Sequence, residues 1–175
     1  MNIYDWAGGD SGSFSGWTLN GTNGGAANTG SGYCFGDGLP LGGTSSGCPC
    51  TNGGPGEGCM TSSGTGAALT ASGNADVGSD TFVLNVAGAP GGKPGLFFQG
   101  STQVNNPIGN GIMCVTSTSR YPVQFLSASG TVSASGLGAN ATSGASLNYQ
   151  YWFRDTKNSC GGGFNFTGGW TLTWQ

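Results

Sequence analysis

The segment 146-SLNYQYWFRD-155 decides the fold class of this chain. Apolar side chains occupy every second position from Leu147 to Phe153, and the positions from Asn148 to Arg154 alternate with them. A period of two residues is typical of a β-strand, in which successive side chains point to opposite faces. The segment therefore predicts a strand that has one face in a protein core.

Neighbouring segments repeat this pattern in shorter form. In 80-DTFVLNVAG-88 the residues Phe82, Leu84 and Val86 alternate with Val83 and Asn85, and further apolar runs are separated by Gly-rich turns. No stretch keeps a 3.6-residue apolar period over three turns, so helix should be nearly absent. About eight or nine short strands with such turns predict an all-β chain, folded as a jelly-roll-like β-sandwich.

The composition is far from that of an average soluble domain. Charged residues make up 6% of the 175 residues and glycine contributes 38 of them, whereas charged residues usually reach about 25%. Such a glycine content often indicates disorder, but 11% aromatics and six cysteines oppose that interpretation here. We predict an N-terminal strand with a flexible Gly/Asn linker over residues 1–32 and a single β-sandwich domain over residues 33–175.

The cysteines predict disulfide bonds and therefore an extracellular, secreted protein. They are Cys34, Cys48, Cys50, Cys59, Cys114 and Cys160, an even number in a chain without histidine. Cys48 and Cys50 flank one proline and are too close to bond each other, so each is expected to pair outward. That leaves Cys34 and Cys59 as their local partners and a Cys114–Cys160 bond by elimination. Zinc is the alternative, but the CPC spacing fits a structural zinc site poorly.

Two resemblances to known families appear. The segment DWAGGDSGSFSGWTLNG (Asp5–Gly21) resembles the last strands of the P domain of proprotein convertases and bacterial subtilisin-like proteases, and it implies no protease activity. Residues 33–175 resemble a Gly/Cys-rich module at the C-terminal ends of large secreted bacterial proteins. The phrases that carry this resemblance are YCFGDG, CPC, GCMTSSGTGAALTASGNADVGSDTFVL, GKPGLFFQG and YQYWFRD. It implies a β fold and secretion rather than a reaction.

Several function classes are disfavoured by the residues present. The net charge is −3 and the basic residues are only four, so the electrostatic footprint of a nucleic-acid-binding protein is missing. No apolar run reaches the roughly 18–20 residues that span a bilayer, and we expect no membrane insertion. The lack of histidine excludes catalytic triads of the usual kind. Because most acids lie beside Gly, Ser or Asn, where Asp commonly caps turns, we expect no enzymatic activity and no cofactor.

Two binding hypotheses remain open. The segments NADVGSD (Asn74–Asp80) and FGDG (Phe35–Gly38) offer hard oxygen ligands for calcium, without the spacing of an EF-hand. Trp152 and Trp174, on different predicted strands, offer flat indole faces on which a sugar ring can stack. A place in the core or in an interface is the competing interpretation of both tryptophans.

One phrase occurs twice, as FSGWTLNG (Phe14–Gly21) and as FTGGWTLTWQ (Phe166–Gln175). With strict alternation Trp and Leu share a face in both copies. Lysine side chains on edge strands commonly prevent pairing with other chains, and this chain has only two lysines. We therefore expect an extracellular structural protein that self-associates, with fibres as the extreme form. In this assembly the N-terminal copy is expected to add as a strand to a sheet of a neighbouring subunit, whereas the C-terminal copy stays in its own sandwich. The residues of this strand-exchange interface are Phe14, Trp17, Leu19, Phe166, Trp170 and Leu172. A monomeric secreted accessory module that binds a glycan, derived from a larger extracellular enzyme, is the alternative.

Overall fold

The computed structural model describes residues 27–38, 47–117 and 119–175. Short strands account for nearly all the regular structure of these residues. The strands are, in chain order, β1 (Ser31–Tyr33), β2 (Glu57–Met60), β3 (Gly66–Ser72), β4 (Val83–Ala87), β5 (Pro94–Gly100), β6 (Gln103–Ile108), β7 (Gly111–Val115), β8 (Ser119–Arg120), β9 (Gln124–Phe125), β10 (Val132–Ala134), β11 (Ser146–Asp155), β12 (Gly163–Phe166) and β13 (Gly169–Thr173).

The all-β prediction is confirmed. The only helical turn in the described residues is the 3-10 turn Leu137–Asn140, and the strands number thirteen there rather than eight or nine. The excess comes from two- and three-residue strands such as β8 and β9, which are too short to show an alternating pattern in the sequence. The jelly-roll topology stays a prediction.

Sheet A has seven strands and is built around β11. Its path runs β1-β13-β11-β5-β8, with β12 also paired to β11 and β9 also paired to β5. All of these pairs are antiparallel. The ten residues of β11 are long enough to pair with β13 at one end and with β12 at the other, so the predicted strand forms the centre of the sheet.

The inner core lies between sheet A and sheet B, a four-stranded sheet with the order β10-β4-β3-β2. Tyr149, Tyr151 and Phe153 of β11 are fully buried in it together with Leu84 and Val86 of β4. These are the alternate positions that the sequence predicts to face a core. Two sheets packed on one core give the β-sandwich.

A second apolar layer, the outer cluster, covers part of the other face of sheet A. The hairpin β6–β7 lies there as a separate two-stranded sheet. The fully or nearly buried members of the outer cluster are Cys59, Phe98, Ile112, Cys114, Val115 and Phe166. Sheet A therefore has apolar side chains on both of its faces.

Three disulfide bonds join all six cysteines within the described residues, but the predicted Cys114–Cys160 bond is wrong. Cys34 pairs with Cys114, and Cys50 pairs with Cys160, with Cα atoms 6.0 and 5.7 Å apart. Cys48 pairs with Cys59, within the local group that the sequence suggested. Elimination failed because β1 brings Cys34 beside the hairpin β6–β7, a long-range contact that spacing along the chain does not reveal.

Residues 28–33 lie on the body of the domain. Asn28 donates from its backbone N–H to Asn74 and from its side chain to Thr173 O, at 2.8 and 2.6 Å, and the Trp170 indole donates to Thr29 O at 2.7 Å. Strand β1 pairs with β13 and crosses the predicted boundary between residues 32 and 33. The chain therefore joins the body at the β1 edge of sheet A.

Candidate interaction face

The outer face of sheet A carries a row of apolar side chains in register. Trp152 of β11 lies opposite Leu96 of β5 on one side and opposite Phe166 of β12 on the other. Residues directly opposite in antiparallel strands point to the same face. These three side chains therefore form one apolar row across three strands.

Two arginines flank this row. Arg154 lies two residues beyond Trp152 on the same strand, and its guanidinium carbon is 5.9 Å from the centroid of the Trp152 ring. Arg120 lies opposite Phe98, one row away on the other side. Both arginines are exposed. A guanidinium group stacks on aromatic rings and donates to carboxylates, so this surface suits aromatic and acidic partners.

A cleft of about 270 Å³ opens on this face. Its walls are apolar except for the rim at Ser117 and Arg120. The other lining residues are Leu96, Phe98, Met113, Trp152 and Phe166. Because β7 contributes Met113, the cleft lies where the hairpin β6–β7 stops covering sheet A.

The hairpin is held against the sheet by buried polar contacts. Gln150, which is fully buried, accepts the N–H of Cys114 at 2.8 Å and donates to Ile112 O at 2.8 Å. The hydroxyl of Tyr33 donates to Cys114 O at 3.1 Å, and burial raises the pKa of Tyr33. With the Cys34–Cys114 bond these contacts fix the wall of the cleft.

The structure separates the two tryptophans of the sugar hypothesis. Trp174 is 1% exposed and donates from its indole to the Tyr149 hydroxyl at 2.9 Å, so it belongs to the inner core. Trp152 is half-buried and lines the cleft. Trp152 alone of the pair offers a face to a ligand.

The C-terminal copy of the repeated phrase lies inside sheet A, with its aromatics on opposite faces. Phe166 belongs to the outer cluster, whereas Trp170 and Leu172 pack on the inner core. The register with β11 shifts by one residue between Phe166 and Trp170, which marks a bulge at Thr167–Gly168. The N-terminal copy, with Phe14, Trp17 and Leu19, lies outside the described residues.

Several of the described acidic side chains accept backbone N–H groups. Asp76 accepts the N–H groups of Gly78 and Ser79 at 2.7 and 3.0 Å, which confirms its predicted turn role. Asp80 accepts from Phe82 and Gly138. In residues 27–38, 47–117 and 119–175 no group of three His, Cys, Asp or Glu side chains forms a metal-binding cluster. The calcium hypothesis stays a prediction.

Comparison of the chain with protein families, with curated proteins and with solved structures finds no match. The resemblances to a P domain and to a Gly/Cys-rich secreted module therefore stay predictions. No helix of the described part of the chain is long and apolar enough to cross a membrane.

Sequence reasoning missed the cleft itself. It placed Trp152 on the face of β11 opposite the inner core, together with Gln150 and Arg154, but did not assign that face a second layer. The available signal was in GLFFQG, where Leu96 and Phe98 flank Phe97 and so make both faces of one strand apolar.

Proposed function

We propose that this chain is an extracellular structural protein whose copies associate through the N-terminal phrase Phe14–Leu19. The observation that supports the proposal most directly is the apolar face of sheet A, where Leu96, Trp152 and Met113 are only partly covered by the described residues. Apolar patches rimmed by polar groups mark interaction sites. The three disulfide bonds support an oxidising, extracellular location.

The contrast with sheet B supports the proposal that sheet A is the associating sheet. In β4 the side chains of Leu84 and Val86 are buried in the inner core, whereas the positions between and after them are partly or fully exposed, Asn85 among them. Sheet B thus has the one buried and one solvated face of an ordinary antiparallel sheet. In the described residues, sheet A contributes Leu96, Phe98 and Trp152 to an apolar layer beyond the inner core, and a partner strand with two apolar faces matches it.

The test is the size of the full chain over a range of concentrations, measured by sedimentation velocity and by negative-stain electron microscopy. We expect concentration-dependent association that Trp17→Ala abolishes or weakens at least tenfold, because burial of an aromatic side chain contributes about 1.5–3 kcal/mol. Trp6→Ala is the matched control, since Trp6 precedes the repeated phrase. If Trp17→Ala associates like the natural chain, the proposal is wrong.

Glycan binding is the second candidate, and Trp152 is the observation that favours it. Its indole lies in the cleft beside Arg154 and near the polar rim formed by Ser117 and Arg120. An aromatic face with polar groups at its edge suits a pyranose ring. Binding to a glycan panel that Trp152→Ala abolishes, in a chain that stays monomeric at all concentrations, would favour this function over self-association.

A further inference from the structure

We infer that the phrase Phe14–Leu19 of one copy adds as a strand to the β8–β9 edge of sheet A in the next copy, an inference that rests on the proposed self-association. The acceptor edge stands out by its exposed apolar side chains. Phe125 is 71% exposed and Val123 is 59% exposed, the two highest values among the large apolar residues that the structure describes. Both lie in or directly before β9.

The backbone of this edge is oriented to receive a strand. Tyr121 donates its N–H to Phe97 O and Leu126 donates its N–H to Lys93 O, at 2.9 Å each, so both turn their backbone groups toward β5. Successive residues of a strand turn these groups to opposite sides. Arg120 and Phe125 therefore present their N–H and C=O groups on the side away from β5, where an added strand would lie.

The side-chain order of the N-terminal phrase suits a strand of sheet A. In the C-terminal copy Phe166 faces outward and Trp170 faces the inner core, although four residues separate them, because the bulge at Thr167–Gly168 resets the alternation. Phe14 and Trp17 are three residues apart because one glycine is missing. A regular strand without a bulge then places them on opposite faces.

Each face of the added strand meets a matching surface. Phe14 turns to the outer face, where the cleft reaches the edge through Arg120, and Trp17 and Leu19 turn to the side of Tyr121, which packs against the inner core. Residues 1–26 contain two aspartates and no basic side chain. Their charge complements the exposed arginines of the outer face, Arg120 and Arg154.

The two ends of the contact lie on opposite edges of sheet A. The chain enters the body at β1, which is one end of the strand order, whereas β8 is the other end. Because the donor strand and the acceptor edge lie on opposite edges, the contact is head-to-tail. Two copies joined in this way still have one free donor strand and one free acceptor edge. Repetition of this contact continues sheet A from copy to copy and produces a fibre.

Mixing two full-length variants tests this arrangement. Trp17→Ala removes the donor anchor but leaves the acceptor edge intact, and Phe125→Lys places a charge on the acceptor edge but leaves the donor intact. Each variant alone should sediment as a monomer at concentrations at which the natural chain associates. An equimolar mixture should form 1:1 dimers that grow no further, because each dimer contains one working donor and one working acceptor.

The control variant is Ile108→Lys. Ile108 is 47% exposed, lies in β6 and lines neither the cleft nor the acceptor edge, so this variant should associate like the natural chain. Unchanged thermal midpoints of Phe125→Lys and Ile108→Lys verify the fold, since both side chains are largely outside the core. An Ile108→Lys chain that fails to associate would overturn the assignment of the edge.

The remaining outcomes distinguish a failure of the β8–β9 edge as the acceptor from a failure of the proposed self-association. If Trp17→Ala dissociates the assembly and Phe125→Lys does not, the β8–β9 edge is the wrong acceptor, although self-association through the phrase stands. If the mixture stays monomeric, the head-to-tail pairing of donor and acceptor is wrong. If the natural chain and the Trp17→Ala variant are both monomers, and the phrase binds within its own copy, both the inference and the proposed function fail.

Discussion

The side-chain amide of Gln150 takes the place of a neighbouring strand for Cys114. The backbone N–H of Cys114 donates to Gln150 Oε1 at 2.8 Å, and Gln150 Nε2 donates to Ile112 O at 2.8 Å and to Thr167 O at 2.7 Å. The contacts with Cys114 and Ile112 are those that an adjacent strand would make with the free side of β7. One buried glutamine thus attaches the hairpin β6–β7 to the face of sheet A.

Replacement of this amide should destabilise the whole domain. Gln150→Leu has a similar volume but leaves the N–H of Cys114 and the carbonyls of Ile112 and Thr167 without their partner, and each unsatisfied buried group costs about 1–3 kcal/mol. We expect the free energy of unfolding in denaturant to fall by about 3 kcal/mol or more. Gln103→Leu, which removes one hydrogen bond of an exposed glutamine to Asn148, should cost less than about 1 kcal/mol. Equal losses in the two variants would contradict this role.

The inner core was predictable from the sequence because it depends on local alternation. The period of two in Ser146–Asp155 placed Tyr149, Tyr151 and Phe153 on one face, and all three are fully buried. Each assignment needed only the order of residues within one strand. Local patterns of this kind are unaffected by the path of the rest of the chain.

The outer cluster was not predictable in the same way because it depends on contacts distant in the chain. Gln150 is polar, which favours a solvated face, yet it is fully buried under a hairpin some forty residues earlier in the sequence, with its Oε1 atom 2.8 Å from Cys114 N. Tertiary context overrides the polarity of a single side chain when its hydrogen bonds are satisfied. The Cys34–Cys114 bond depends on the same contact between the hairpin β6–β7 and sheet A. The cleft lies where this contact ends.

Cyanogen bromide cleavage without reduction distinguishes the disulfide pattern of the structure from the one that spacing suggested. Cleavage after Met60 and Met113 separates Cys34, Cys48, Cys50 and Cys59 from Cys114 and Cys160. The bonds Cys34–Cys114 and Cys50–Cys160 should hold fragments 2–60 and 114–175 together as one species until a reductant is added. Two separate fragments before reduction would show that Cys114 pairs with Cys160.

Two of the disulfide bonds should differ in their contribution to stability. The Cys34–Cys114 bond spans 80 residues and the Cys48–Cys59 bond spans 11, so in the loop-entropy model the longer loop contributes about 1.8 kcal/mol more. Each bond joins one buried and one partly buried cysteine, so the packing losses on replacement are matched. The double variant Cys34→Ala/Cys114→Ala should therefore unfold at a lower denaturant concentration than the double variant Cys48→Ala/Cys59→Ala. A reversed order would contradict the entropic ranking.

Alkaline pH should destabilise the fold through buried tyrosines. Burial raises the pKa of Tyr151 to about 12, and burial together with the charge of Asp80 raises that of Tyr121 to about 12, whereas the pKa in an unfolded chain is about 10. Below pH ~10 the hydroxyl is protonated in both states and has no effect on the pH dependence. Between pH ~10 and ~12 the unfolded chain releases protons that the folded chain keeps, so the free energy of unfolding falls as the pH rises.

The Tyr151→Phe variant isolates one part of this effect. Among the described residues the Tyr151 hydroxyl is buried and has no hydrogen-bond partner, so its removal should leave stability at pH 7 unchanged or higher. The variant should also lose less stability between pH 8 and 11 than the natural chain, because one group that ionises only on unfolding is gone. Tyr149→Phe is the contrast, since it removes the acceptor of the Trp174 indole and should lower stability at pH 7 by about 1–3 kcal/mol. Denaturant unfolding at both pH values, with tyrosinate absorbance at 295 nm as a monitor of ionisation, measures both differences. A Tyr151→Phe chain that is clearly less stable at pH 7 would show that this hydroxyl has a partner.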